Sequence, residues 1–195
     1  MTNPEKYPGT TLYTYSGRVA FPGGAPSLLD IAISLSREGR YCGHGLRFWP
    51  VVLHVFAVCD LLPPALKFYG LNHDDAESVT GDTPKPSKGQ TVAQLEDALL
   101  SAMYKSFGVC LPSPEEYAII KQADNAVLRG EVFTVGTQAL QEVYERHPQA
   151  EEIVLHYANL YSYADYLEAG GRVPMEFIRR FREYKTLLPA HRLLH

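Results

Sequence analysis

Leu71–Lys88 reads LNHDDAESVTGDTPKPSK, placing one histidine, four carboxylates (Asp74, Asp75, Glu77, Asp82) and a Gly-Asp turn within ten residues. The segment leading into it, PALKFYGLNHDDAESV, opens on proline and keeps helical spacing, so a helix is expected to run through His73 and Asp74 until Gly81 and the prolines close it. The imidazole of His73 and the carboxylate of Asp74 suit the same borderline divalent metals and could reach one ion. Glu77 follows His73 by four positions and shares its face if the helix continues.

Moving outward, FWPVVLHVFAVCDLL before the stretch is a strongly apolar helix in which Pro50 is tolerable only in the first turn. TVAQLEDALLSAMYKSFG after it is clearly amphipathic, with Thr91 as cap and Gly108 as terminator. Ser113, Pro114 and two glutamates start a further helix through EEYAIIKQADNAVLRGE, and Ser27 caps LLDIAISLS, which should stop at Gly39. Beyond about residue 132, GTQALQEVYER, AEEIVLHYANLYSYADYL and PMEFIRRFREYKTLL read as two or three more helices. LYTYSGRVAF near the beginning suits a small hairpin or an extended arm. The expected fold is all-α: one domain over 1–195, with an N-terminal arm (1–26), a core carrying the stretch (27–131) and C-terminal helices (132–195).

The chain has 195 residues, 46% of them hydrophobic, enough for one sizeable core. Its net charge of −4 argues against a nucleic-acid duplex as partner. No apolar run approaches membrane-spanning length, and MTNPEKYPGTT lacks the form of a signal peptide. Cys42, Cys59 and Cys110 have no CxxC spacing and read as reduced thiols. A cytoplasmic protein is expected.

His54, inside VVLHVFAVC, reads on its own as a core histidine. Its helix, however, directly precedes the one carrying His73 and Asp74, and a Pro-Pro turn would fold the two together. Asp124, beside an apolar stripe, needs a partner: Arg129, Lys121 or a metal. Trp49 and Phe48 read as core, and Arg179, Arg180 and Arg182 as surface or subunit contacts.

A histidine, a His-Asp pair and a distant aspartate on three helices form the ligand pattern of the HD-domain metal-dependent phosphohydrolases, which the sequence resembles. NHDDAESVTGDTPKPSK looks like the HD(A/S)xE-x-x-x-GD-x-P-x-P-x-K segment of bacterial deoxynucleotide 5′-nucleotidases and small phage HD proteins. The upstream YTYSGRVAF and DIAISLSREGRYCGHGLRFWPVVLHVFAV are similar to the phage group, which includes dATP triphosphohydrolases of phages whose DNA carries 2-aminoadenine. The resemblance covers roughly residues 12–131 and implies an HD-type helical bundle.

It further implies His54, His73, Asp74 and Asp124 as metal ligands, with zinc, cobalt or manganese as the ion and a possible additional magnesium. Glu77 matches the carboxylate that activates or positions water, and Asp82 the aspartate of the GD turn. Arg40 matches a phosphate-gripping arginine, and His44, Arg47 and Lys85 fall where phosphate contacts are expected. The sequence departs from the pattern at Ile33, at His54-Val55 and at Leu46-Arg47. The implied activity is hydrolysis of deoxynucleotides, either a dNTP triphosphohydrolase preferring dATP, in phage 2-aminoadenine metabolism and so in a host cytoplasm, or a 5′-nucleotidase on monophosphates. A homo-oligomer is expected.

Overall fold

Ser27 begins the first helix as its sequence suggests, accepting the Asp30 N–H while Asp30 accepts the Ser27 N–H in a reciprocal capping box. The computed structural model describes residues 12–17, 19–21, 24–84 and 88–194. Among these, a short antiparallel hairpin, β1 (Leu12–Tyr13) and β2 (Val19–Phe21), precedes α1 (Leu28–Arg37). Asp30 also accepts the Ser16 N–H and hydroxyl at 2.8 Å each, which ties the hairpin to α1. Those donors outweigh its burial and hold its pKa near 2.

A 3-10 turn, Arg40–Gly43, leads to α2 (Val51–Leu61), with Pro50 as N-cap. Residues Val51 to Cys59 are all buried, so α2 is the central element. Around it lie α1, α3 (Lys67–Asn72), α6 (Pro114–Thr134) and α7 (Pro148–Leu160). α6 carries the expected Ser113 cap and its capping box with Glu116. α5 (Gln90–Ser106) starts at Gly89 rather than at Thr91. After residue 131 only Gln138–Glu142 of the first expected helix winds, as 3-10, followed by α7, α8 (Tyr163–Leu167) and α9 (Arg172–Thr186). The C-terminal helices bring Val154, Tyr157, Val173 and Phe177 into the same core as α2. Arg180 is tucked over the Phe56 ring at 4.3 Å, so it is not a simple surface group.

The helix expected through the His-Asp pair is interrupted. α3 ends at Asn72, His73–Ala76 form a turn, and the chain winds again as α4 (Glu77–Thr80). Asn72 Nδ2 donates to the Phe68 carbonyl at 2.7 Å, while Glu77 N–H closes on Asp74 O in the tighter i→i−3 manner. His73 and Asp74 therefore sit on a corner rather than along a helix face.

Candidate metal centre

His54 is fully buried on the apolar helix α2, and so its ring nitrogens need partners from within the protein. Its Nδ1 donates to Glu131 Oε1 at 2.7 Å. Glu131, also fully buried, accepts the Trp49 indole N–H at 2.7 Å on that same oxygen. Its Oε2 accepts Arg40 Nε and the Tyr41 hydroxyl, both at 3.1 Å. Burial pushes the Glu131 pKa up, but Arg40 and His54 pull it down to about 2. For His54, burial and Arg40 act downward; Glu131 and Asp124 outweigh them and carry it up to about 10.

His73 is oriented in the same way by a different acceptor, its Nδ1 donating to the Gly70 carbonyl at 2.8 Å. Both Nε2 atoms are left buried and without a hydrogen-bond partner. Asp74 Oδ2 lies 3.4 Å from His73 Nε2 and 3.7 Å from His54 Nε2. Asp124 Oδ1 lies 3.1 Å from His54 Nε2 but is not aligned for a hydrogen bond, and its other oxygen accepts from Lys121 Nζ. One donor atom each from His54, His73 and Asp124 falls within 4.8 Å of the others.

Two unpartnered imidazole nitrogens facing carboxylate oxygens make a donor set suited to a borderline divalent cation. Leaving such buried nitrogens unpaired costs roughly 1–3 kcal/mol each, which a cation would offset. The residues present fit a metal ion.

A cavity of about 320 Å³ opens over Asp74 and Asp124. Its cations are Arg40, Lys88 and Lys121; Glu77 and Asp82 are its further carboxylates; Leu128, Val132, Leu140 and Tyr144 supply apolar wall. Glu77 is buried with Oε2 unpartnered, and burial, then Asp74 and Asp82, push its pKa up to about 9. Lys88 Nζ stands 4.0 Å from Glu77 Oε1 and 2.6 Å from Glu96 Oε2. Asp82 is aimed by the bend at Gly81, whose φ of 76° favours glycine, and by its N–H donating to Glu38 Oε1 at 3.2 Å.

No family model matches the chain. Among curated proteins it is similar to the uncharacterized protein YfdR of Escherichia coli strain K12, 30% identical over 93 residues. That match takes in 46% of this chain and 52% of the relative, so the chain spans about half the length of the curated protein it matches. Among solved structures it is similar to the cyanophage S-2L HD phosphohydrolase DatZ, bound to dA and one catalytic Zn²⁺ ion. There the TM-score is 0.48 at 20% identity, covering 80% of this chain and 95% of that one.

The expected residues divide into three groups. His54, His73, Asp74 and Asp124 converge, and Arg40, Glu77 and Asp82 line the adjoining cavity. Asp124 is paired with Lys121, as one of its sequence readings had it, and also faces His54. His44 and Arg47 are exposed and are not among the cavity's lining residues, contrary to the expected phosphate contact. The 3-10 turn of Arg40–Gly43 directs the chain outward after Tyr41. Lys85 lies outside the described residues, as does Arg18.

Sequence reasoning missed Glu131 and Tyr41, and named Lys121 only as a partner of Asp124, not as a cation of the cavity. The available signal for Glu131 was its spacing of seven from Asp124, two turns along one face of α6. Asp75, to which sequence reasoning gave no role, is fully buried with both carboxylate oxygens unpartnered, and burial and Asp74 raise its pKa well above the usual carboxylate range.

Proposed function

We propose that the chain is a metal-dependent phosphohydrolase of deoxynucleotides, cleaving dNTPs to deoxynucleoside and triphosphate with dATP preferred. The observation that carries the reading is the pair of Nε2 atoms on His54 and His73 without hydrogen-bond partners, beside Asp74 and Asp124 at the edge of a cavity with three cations. The resemblance of NHDDAESVTGDTPKPSK to the HD…E…GD segment supports the choice of substrate class.

His54, His73, Asp74 and Asp124 would hold the ion, which supplies Lewis acidity toward a phosphoryl oxygen and acidifies water. Glu77 keeps its proton while Asp74 and Asp82 face it uncompensated. Once a cation offsets those carboxylates its pKa falls into range for taking a proton from attacking water. The water oxygen bonds to the α-phosphorus as its bond to the deoxyribose 5′ oxygen breaks, and the proton that Glu77 takes from water is returned to that 5′ oxygen, so deoxynucleoside and triphosphate are the products. Arg40, Lys88 and Lys121 neutralise the charge of the phosphate chain, Arg40 through a planar fork matched to phosphate oxygens. Asp82, at the cavity rim, orients substrate or water.

The test is a panel of dNTPs, NTPs and dNMPs incubated with Mn²⁺, Co²⁺ or Zn²⁺, with the phosphorus product identified by NMR. Triphosphate released from dATP is the expected result, and four untouched dNTPs overturn the proposal. Orthophosphate from monophosphates alone transfers the assignment to a 5′-nucleotidase.

A further inference from the structure

Glu131 takes no step in the reaction above, yet it collects donors from four side chains: His54 and Trp49 on Oε1, Arg40 and Tyr41 on Oε2. We infer that Glu131 is a positioning residue of the metal centre, holding a proton on His54 Nδ1 so that Nε2 is the nitrogen that offers its lone pair to a cation. The inference rests on the metal reading of the site.

Trp49 Nε1 and Arg40 Nε only donate, so neither can adapt to a donor in place of Glu131. The Tyr41 hydroxyl can turn from donor to acceptor without consequence for a cation, whereas His54 can do so only by moving its proton from Nδ1 to Nε2. Four donors on two oxygens leave an acceptor-only group as the one arrangement that satisfies all of them. An amide at this position would set its NH2 against one of the two pairs. Arg40, being charged, competes best for the remaining oxygen, and His54 is then driven into the tautomer whose Nε2 carries hydrogen. That tautomer cannot donate a lone pair to a metal from Nε2. Trp49, Tyr41 and Arg40 thus hold the carboxylate, and the carboxylate sets His54.

The experiment titrates Co²⁺ into the wild type and Glu131→Gln, following the visible absorption of the bound ion; it needs no nucleotide. Glu131→Gln is expected to weaken Co²⁺ binding by about 10–100-fold, the usual effect of removing a partner behind a ligating histidine. Binding within about threefold of wild type overturns the inference. Trp49→Phe removes one donor and disturbs the same buried core, and is expected to stay within about threefold. If it weakens Co²⁺ as much as Glu131→Gln does, loss of packing explains the effect and the inference fails. Should Glu131→Gln not fold, long-range proton–nitrogen spectra of Zn²⁺-loaded wild type decide: a proton on His54 Nδ1 supports the inference, and one on Nε2 overturns it. Wild type that binds no Co²⁺ overturns the metal reading beneath, a different outcome from an indifferent Glu131 variant.

Discussion

The imidazole rings of His54 and His73 stand 5.5 Å apart, centroid to centroid, tilted by 48°, and the Nε2 of each approaches the same oxygen of Asp74, Oδ2. The two rings come from opposite sides of a Pro-Pro connection, one from the middle of α2 and the other from the corner after α3. A ligand and a proton-handling group should therefore separate cleanly by mutation.

Asp74→Ala removes a carboxylate between both rings and should abolish metal retention and turnover together. Glu77→Gln should keep the metal, because Glu77 makes no approach to either histidine among the contacts found, while lowering kcat by about 10²–10⁴-fold. Metal content by mass spectrometry and dATP turnover check the pair. A Glu77→Gln protein that loses its metal would reassign Glu77 as a ligand.

Metal affinity should rise with pH. His54, with a folded pKa of about 10 against 6.5 free, stabilises the metal-free protein fully below pH 6.5, and that contribution is lost as pH climbs through 10. Glu77, raised from 4.5 to about 9, runs the same way: its contribution is complete below pH 4.5 and gone above 9. Glu131, lowered from 4.5 to about 2, runs oppositely and loses its contribution only as pH falls through that range. Binding a cation at Nε2 expels the His54 proton, so Zn²⁺ affinity is expected to gain about tenfold per pH unit for each proton released between pH 6.5 and 8.5. Titrations at three pH values with competing chelator measure the slope, and a flat profile contradicts the assignment.

Asp75→Asn should stabilise the metal-free protein at pH 8 relative to pH 4. The raised pKa of Asp75 means that stability is lost as pH rises above 3.8, and asparagine removes the ionisation. The gain at pH 8 over pH 4 is expected to be about 1–2 kcal/mol, or ~3–6 °C in Tm for a chain of this size. Thermal melts at both values test it; an equal loss at each pH would show that Asp75 has a partner that asparagine cannot replace.

Gly130→Ala should loosen the α6–α7 contact. A Cβ there would meet the Ala150 backbone carbon at 2.7 Å and its Cβ at 2.9 Å, inside contact distance. Overpacking of this kind costs about 1–3 kcal/mol, to be read as a lowered urea midpoint. A midpoint equal to wild type would mean that α7 yields freely.

The all-α architecture was legible because its helix starts are written in local chemistry. Ser27 with Asp30 and Ser113 with Glu116 are complete capping boxes, and Pro50 can only precede α2. The break at His73–Ala76 was not legible, since nothing in HDDA forbids a helix. The turn through Tyr41 and Cys42 was equally hidden: both residues hold positive φ, 60° and 50°, where a reader looks for Gly43. Of the centre itself, the histidines and aspartates could be found through their pattern. Glu131 offered only its spacing of seven from Asp124, a weak signal because a glutamate on a long helix ordinarily faces water, and the three-dimensional meeting of Arg40, Trp49 and His54 on it gives that spacing its meaning.

One helix grips both nitrogens of one ring: Asp124 faces His54 Nε2 and Glu131 takes Nδ1. Seven residues of α-helix bring two side chains back to nearly the same bearing, whereas a single inserted or deleted residue swings everything beyond it by about 100°. The interval from Asp124 to Glu131 is thus a fixed gauge. One residue added or removed between those two carboxylates would take one of them off the histidine.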